Sequence, residues 1–558
     1  MKIGPGAALL LSLSLALGCG NGMKSSGSGG GAAPADSLLP KTRAELTNYA
    51  ETSHYSDVIA FLDSLDALGA PFWRGSIGKS YEGRDLPLVV LSHPRVTSPE
   101  EAKRLGRPIV YVQGNIHAGE VEGKEALLML IRDLVFDRGP GILDSVVFLA
   151  QPIYNADGNE RFAPQEKNRR SQNGPELVGT RANAQSFDLN RDYIKAEAPE
   201  TRAALAAFAE WQPDVFVDLH TTDGSYHGFA LTYSPSLNPA ALFGGVYARD
   251  SLLPVLRERM RARHDFEVFD YGNFQDEFGR GELTDTVKSG WYTYEPYPRY
   301  GTNYFGLRGR ISILSEAYSH DPFERRVKSS YAFVREILSL SAERAGQIRA
   351  VEHRADSSVL AWGKDPANAP AIPLRSQMTT RPLEEVIPYE VLVRTGDSSR
   401  TQPGVPLGIR RTGRFISAKM KVYDRFEPVL ERKPPAEYAL RASDTVAVRL
   451  LREHGVEVQR ADADREARVQ VYAVDSVIAA GREYQGHRAV RLEGKWSDQR
   501  RSIPAGSWIV RVAQPMGVVA FYMLEPESDD GLVTWNYFDS ELAVGGEYPV
   551  YRVMDTTP

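Results

Sequence analysis

Cysteine is almost absent from this sequence: Cys19 is the only one in 558 residues. No intramolecular disulfide can form, and a cysteine-ligated metal site is excluded in practice. Basic charge is not in excess either. Lys and Arg total 66 against 72 Asp and Glu, for a net charge of −6 and a pI near 6.0, which leaves no basic footprint for a nucleic-acid partner. Mean hydropathy is −0.34, and no run reaches the roughly 20 apolar residues that a spanning helix needs. The 48 glycines and 35 prolines follow no fixed period, which excludes collagen-like and mucin-like chains. What is present is ordinary globular protein, 42% apolar and 25% charged. At about 150 residues per domain the length fits two or three domains plus tails.

Cys19 follows a cationic start (Met1–Lys2), a short apolar stretch from Ala7 to Leu17, and Gly18. That order describes a secretory signal rather than a stable anchor. The tetrad Ala16–Leu17–Gly18–Cys19 resembles the bacterial lipoprotein signal, in which the cysteine is lipidated and becomes the new amino terminus. Residues 20–36 are mostly Gly, Ser, Ala and Pro and read as a flexible tether. The expectation is an exported lipoprotein with residues 1–19 as signal peptide. It would sit at the outer membrane or its periplasmic face, or at the surface of a single-membraned cell, and meet the membrane only through its lipid.

Residues 37–354 alternate strand and helix signals. Arg107–His117, Asp144–Tyr154, Asp214–His220 and Arg310–Glu316 read as buried strands. Gly123–Val135, Pro199–Trp211, Ala240–Arg261 and Arg325–Glu352 have helical spacing. This predicts an α/β domain with a mixed, mostly parallel sheet covered by helices. Residues 355–371, rich in Asp, Ala and Pro, read as a linker. Residues 372–558 predict a mixed, β-rich domain, with half-exposed strands near 386–394, 415–422, 467–474 and 507–512 and a helix over 445–454 stopped by Gly455.

Chemistry-bearing residues fall at the strand ends of the first domain. One strand runs into Ile116–His117–Ala118–Gly119–Glu120, another ends at His220, and a third at Glu316. In open α/β sheets the ligand crevice lies beyond the carboxyl ends of the strands, so these residues are expected to converge. Two imidazoles and one carboxylate with an open fourth position make a catalytic zinc site. Gly119 is expected to ease the turn between His117 and Glu120. Glu122 and Glu125, on the helix that follows, read as facing away. The acidic group Glu525, Glu527, Asp529 and Asp530 reads as a solvated turn.

As an ordered set, these segments resemble the zinc carboxypeptidase family, the carboxypeptidase A-like metallopeptidases, in a large bacterial lipoprotein-type form. GNIHAGEVEG resembles the family's His-x-x-Glu zinc segment, and NADG (Asn155–Gly158) its Asn-Pro-Asp-Gly turn. DLNRDY (Asp188–Tyr193) resembles its Asn-Arg substrate clamp. VDLHTTDG resembles the second zinc segment, and ILSEAYS the catalytic-glutamate segment. The resemblance implies one zinc per chain on His117, Glu120 and His220, with Glu316 as general base. It implies Asp188 as the outer partner of His117, and Asn190 with Arg191 as the grip on a peptide's terminal carboxylate. By distance from NADG, Arg170, with Arg169 beside it, would polarise the scissile carbonyl. Tyr294 or Tyr304 would be the tyrosine that covers the substrate.

These assignments imply an exported metallocarboxypeptidase acting on peptides. A diaminopimelate-type cell-wall peptidase or an N-acyl amino acid deacylase on the same fold is an alternative, because the same clamp would serve either. A non-catalytic lipid-anchored binding protein is a third reading. The filled metal and acid–base positions argue against it.

Overall fold

The computed structural model describes residues 38–137, 141–275, 277, 290–395 and 405–554. Cys19, the apolar segment before it and the tether lie outside the described residues. Eight strands build one sheet: β1 (Phe72–Lys79), β2 (Asp85–Leu91), β3 (Ile109–Gly114), β4 (Val147–Gln151), β5 (Val215–Thr221), β6 (Leu231–Pro235), β7 (Val268–Asp270) and β8 (Ile311–Ala317). Their spatial order is β1-β2-β4-β3-β5-β8-β6-β7. The central run β4-β3-β5-β8 is parallel, while β1, β2 and β6 join antiparallel to their inner neighbours. The fold is therefore mixed α/β with a mostly parallel centre, as the strand–helix alternation predicts.

Side-chain alternation along the central strands sets what each face does. Val110, Val112, Val215, Val217, Ile311 and Ile313 pack into one core with helices Glu122–Phe136, Leu253–His264 and Phe323–Glu343. Tyr111 and Phe216 point to the other face, against helices Pro199–Trp211 and Gly301–Leu307. There Phe208 stacks on Phe305 with ring centroids 3.8 Å apart, a contact of about 0.5–1.5 kcal/mol beyond its area. The same period of two puts Asp218, His220, Leu314 and Glu316 on this second face, where the strands run out from under the helices.

Two expectations about helices need correction. The segment 240–261 is not one regular helix: a wide turn at Ala248–Leu252 precedes helix Leu253–His264, where Pro254 has no N–H to continue the ladder. The linker expected at 355–371 is helical as far as Lys364. Composition hid this, because the helix is fixed by docking. Val359 is buried in the shared core, and Gly363 lies so close to Ala513 that a Cβ there would come within 2.1 Å of the Ala513 backbone nitrogen.

Beyond Ile372 the chain is β-rich. A six-stranded sheet includes the long hairpin Arg465–Ala479 and Val490–Ile503, and helix Thr445–Glu453 ends before Gly455, whose φ is +83°. One apolar core joins Tyr111, Phe208 and Tyr304 to Leu451, Phe521 and Trp535, so this region packs on the face of the sheet that carries the strand-end residues. The acidic group is not a solvated turn. Glu525 pairs with Arg552, Glu527 with Arg432, and Asp530 with Arg299, all at 2.7–2.8 Å. Arginines distant in sequence neutralise these buried carboxylates. No described helix is long and apolar enough to cross a membrane.

Candidate active site

The loop after β3 carries His117 and Glu120. Its tight entry is made by Asn115, at φ +67°, and not by Gly119. Gly119 serves close approach instead, since a Cβ there would sit 3.0 Å from the Gly179 carbonyl. Asn155 of the NADG turn ties the loop down: its amide donates to the carbonyls of Ile116 (3.2 Å) and Arg181 (3.1 Å) and accepts from the Gly158 N–H. His220 stands at the end of β5. The parallel register pairs it with Glu316 on β8, which seats the two side by side.

His117 Nδ1 lies 3.0 Å from Glu120 Oε1, His220 Nδ1 lies 3.0 Å from Glu120 Oε2, and the two Nδ1 atoms are 3.2 Å apart. All three residues are buried. Of the outer nitrogens, His117 Nε2 is hydrogen-bonded to Asp188 Oδ1 at 3.0 Å, and His220 Nε2 lies 3.1 Å from Asp218 Oδ2 as a charge contact. A carboxylate only accepts, so His117 Nε2 carries the proton and its Nδ1 turns a lone pair inward, and the Asp218 charge beside His220 Nε2 favours the same tautomer there. Two lone pairs and a carboxylate then face one point, a donor set that suits zinc.

Charges around this point are strongly shifted. Burial opposes the Glu120 charge, but Arg169, His117 and His220 together outweigh it and hold Glu120 well below the usual carboxylate range. Burial likewise opposes the Asp188 charge, and His117, Arg181 and Arg191 overcome it. Burial works against a charged His220 too, yet Asp218 and Glu120 raise its pKa. Glu316 goes the other way. Burial, with Glu120 and Asp223 nearby, pushes it well above the usual range against the pull of His220. Its Oε2 has no hydrogen-bond partner among the described residues and faces a cavity of about 60 Å³.

Residues 60–236 match the zinc carboxypeptidase family. Carboxypeptidase 2 of Trichophyton rubrum is 22% identical over 503 residues, 85% of this chain and 81% of its own length. Residues 60–236 thus form a zinc carboxypeptidase domain, and the protein is a metallocarboxypeptidase by class. Carboxypeptidase M of Mus musculus is 32% identical over 192 residues, 32% of this chain and 39% of its own. A solved metallo-carboxypeptidase from Burkholderia cenocepacia aligns with a TM-score of 0.38 and 18% identity, over 52% of this chain and 69% of that one.

Not every expected residue of this zinc carboxypeptidase stands where the sequence placed it. Asn190, Arg191 and Tyr294 line the cavity with the zinc triad and Glu316. Arg170 does not: it is exposed on a turn. Arg169 turns inward in its place. It donates to the carbonyls of Thr221 and Thr222 and lies 3.2 Å from Glu120, because consecutive side chains in this irregular loop diverge. Tyr304 is fully buried away from the cavity, with its hydroxyl 2.6 Å from His454 Nδ1. Helix Gly301–Leu307 carries it into the core. Tyr300 lines the cavity instead, and the Arg191 guanidinium lies 4.2 Å from its ring centroid. Glu122 and Glu125 stay out of the cavity, bonded to Thr221 and to Thr52 and Ser53.

Three contributors were missed. Arg181 bonds Asp188 Oδ2 at 2.8 Å and lines the cavity, but TRAN carries no strand or helix signal. Asp218 stands two residues before His220, and the period of a strand puts both on one face, so its signal was present. Gln113 on β3 holds Asp218 from the neighbouring strand at 3.2 Å.

Proposed function

We propose that this zinc carboxypeptidase removes the last residue of peptides and reads the free terminal carboxylate with Arg191. One observation carries the reading: the zinc triad, Glu316 and Arg191 open into one small cavity. Among the described residues the only hydrogen bond of the Arg191 side chain is to the Asn190 carbonyl at 2.8 Å, and its nearest carboxylate, Asp188, is 4.0 Å away. Its fork is therefore available for a two-bond grip on a carboxylate.

His117, Glu120 and His220 would hold zinc, which when bound supplies Lewis acidity and brings the pKa of a water ligand to about 7. Glu316 takes the proton from the attacking water and returns it to the leaving amine. Arg181, with Arg169 behind it, supplies positive charge where the carbonyl oxygen becomes negative. Asp188 and Asp218 keep both imidazoles in the ligating tautomer. Tyr294 and Tyr300 wall the cavity against water. The chain acts outside the cytoplasm, anchored by lipid on Cys19. Cys19→Ser should release it from the membrane fraction, and unchanged fractionation would refute the anchor.

The test incubates protein lacking residues 1–19 with free peptides, muropeptides and N-acyl amino acids and weighs the products. Loss of single carboxyl-terminal residues from peptides, abolished by a chelator and restored by zinc, is the expected result. Release from muropeptides or acyl amino acids alone would transfer the activity to those substrates. Full turnover in chelator would refute zinc chemistry.

A further inference from the structure

Between strands Arg465–Ala479 and Val490–Ile503 the chain reverses at Gln485–Gly486. Tyr484 and His487 exchange both backbone hydrogen bonds, at 2.7 and 3.0 Å, and φ is +50° at Gln485 and +80° at Gly486. Positive φ at both central residues is the tight hairpin turn that matches strand twist. A stiff tip of this kind holds its side chains in fixed places. His487 Nε2 lies 2.8 Å from Glu197 Oε1 of the catalytic region, which docks the tip. Gln485 Oε1 then accepts the backbone N–H of Asp188 at 3.1 Å.

Asp188 opens the turn that carries the clamp. Its Oδ1 accepts from the Asn190 N–H and from His117, and its Oδ2 from Arg181. Those three contacts come from the catalytic region, and only the contact to the Asp188 backbone comes from beyond Ile372. A second link reaches the same place. Asp530, fully buried, accepts from the Arg299 backbone N–H at 2.7 Å and from its side chain at 2.9 Å. Arg299 precedes Tyr300, the ring under Arg191. On the other side of Tyr300, the Gly301 N–H donates to Asn190 Oδ1 at 2.8 Å. The turn that leads into Arg191 and the residue before Tyr300 are thus each held by the carboxyl-terminal region, while Asn190 ties the two together from the catalytic side.

We propose that the carboxyl-terminal region sets the affinity of the carboxylate clamp, with Gln485 and Asp530 as positioning residues for Arg191 and Tyr300. The proposal rests on the reading of Arg191 as the clamp. It gives the region beyond Ile372 a role in substrate binding rather than in chemistry, because neither residue touches the zinc triad or Glu316.

The test uses the full chain and a matched pair of peptides, one with a free terminal carboxylate and one amidated. Gln485→Asn suits the positive-φ turn but is one methylene too short to reach Asp188. Loss of one such hydrogen bond should raise KM for the free acid about 3- to 10-fold, with kcat, zinc content and Tm unchanged. KM for the amide should stay put, so the preference for the acid shrinks by the same factor. Asp530→Asn, which keeps shape and removes the charge that fixes Arg299, should give the same split in KM between acid and amide at native zinc content and kcat, with a lower Tm from the broken buried pair. A native preference that persists in both variants overturns this proposal alone. An equal rise in KM for acid and amide, or a fall in kcat that tracks Tm, also overturns it, as a merely structural contact. A native enzyme without preference for the free acid overturns the clamp reading and this proposal with it.

Discussion

Glu316 and Asp218 occupy neighbouring strands and fail in different ways when changed. Glu316→Gln keeps shape and removes the proposed base. Zinc content should be native while kcat falls about 10²–10⁴-fold, read from metal analysis and steady-state kinetics on one preparation. A variant with native kcat would remove Glu316 from the chemistry. Asp218→Asn leaves every zinc ligand in place but takes away the charge that orients His220. Zinc affinity should drop about 10- to 100-fold, measured by competition with a coloured chelator, and unchanged affinity would contradict the assigned tautomer. The clustering of His117, Glu120 and His220 was legible because each follows a strand end or a named motif. Arg169 against Arg170 was not, since direction alternates regularly in a strand but not in a loop. Tyr300 against Tyr304 was not, because a tyrosine-rich segment does not reveal which turn enters the core.

The helix Glu122–Phe136 and strand β5 meet at a point where neither can yield. A Cβ on Gly123 would come within 2.7 Å of the Leu219 Cβ, between Asp218 and His220. Gly123→Ala should therefore push apart the elements that carry Glu120 and His220. Overpacking of this kind costs roughly 1–3 kcal/mol, so Tm should fall and zinc bind more weakly, by thermal unfolding with and without added metal. If Tm falls equally in apo- and zinc-loaded protein, the contact is structural only. At this scale the central strands were legible to within a few residues, because their apolar runs are bounded by charge and turn residues. The helix through 355–364 was not: its Asp and Ala pattern reads as linker, and its order comes from Gly363 and Val359 docking on residues far along the chain.

Across the whole molecule the catalytic and carboxyl-terminal regions share one core, and a buried histidine lies at their junction. His454 accepts from the Tyr304 hydroxyl and donates to the Ile194 carbonyl at 3.2 Å. Burial, with Arg308 nearby, lowers its pKa to about 3. Its ordinary value is 6.5, so the unfolded chain binds the extra proton first. The stability from keeping it neutral is complete above pH 6.5 and is lost as pH falls toward 3. Chemical denaturation from pH 7 to 5 should show stability falling less steeply in His454→Gln than in the native chain, and equal slopes would contradict the burial of a neutral imidazole. The joining of the two regions was not legible, since no local pattern shows which surfaces meet. The proposed joint product is a zinc site with a carboxylate reader beside it, and the most direct test of that proposal is the mass of what native enzyme releases from a peptide offered as free acid and as amide. Stepwise loss of single residues from the free carboxyl end, with the amide cleaved far more slowly and the difference largely gone in Arg191→Ala, is the predicted result; equal cleavage of both, or internal cuts in long chains, would contradict it.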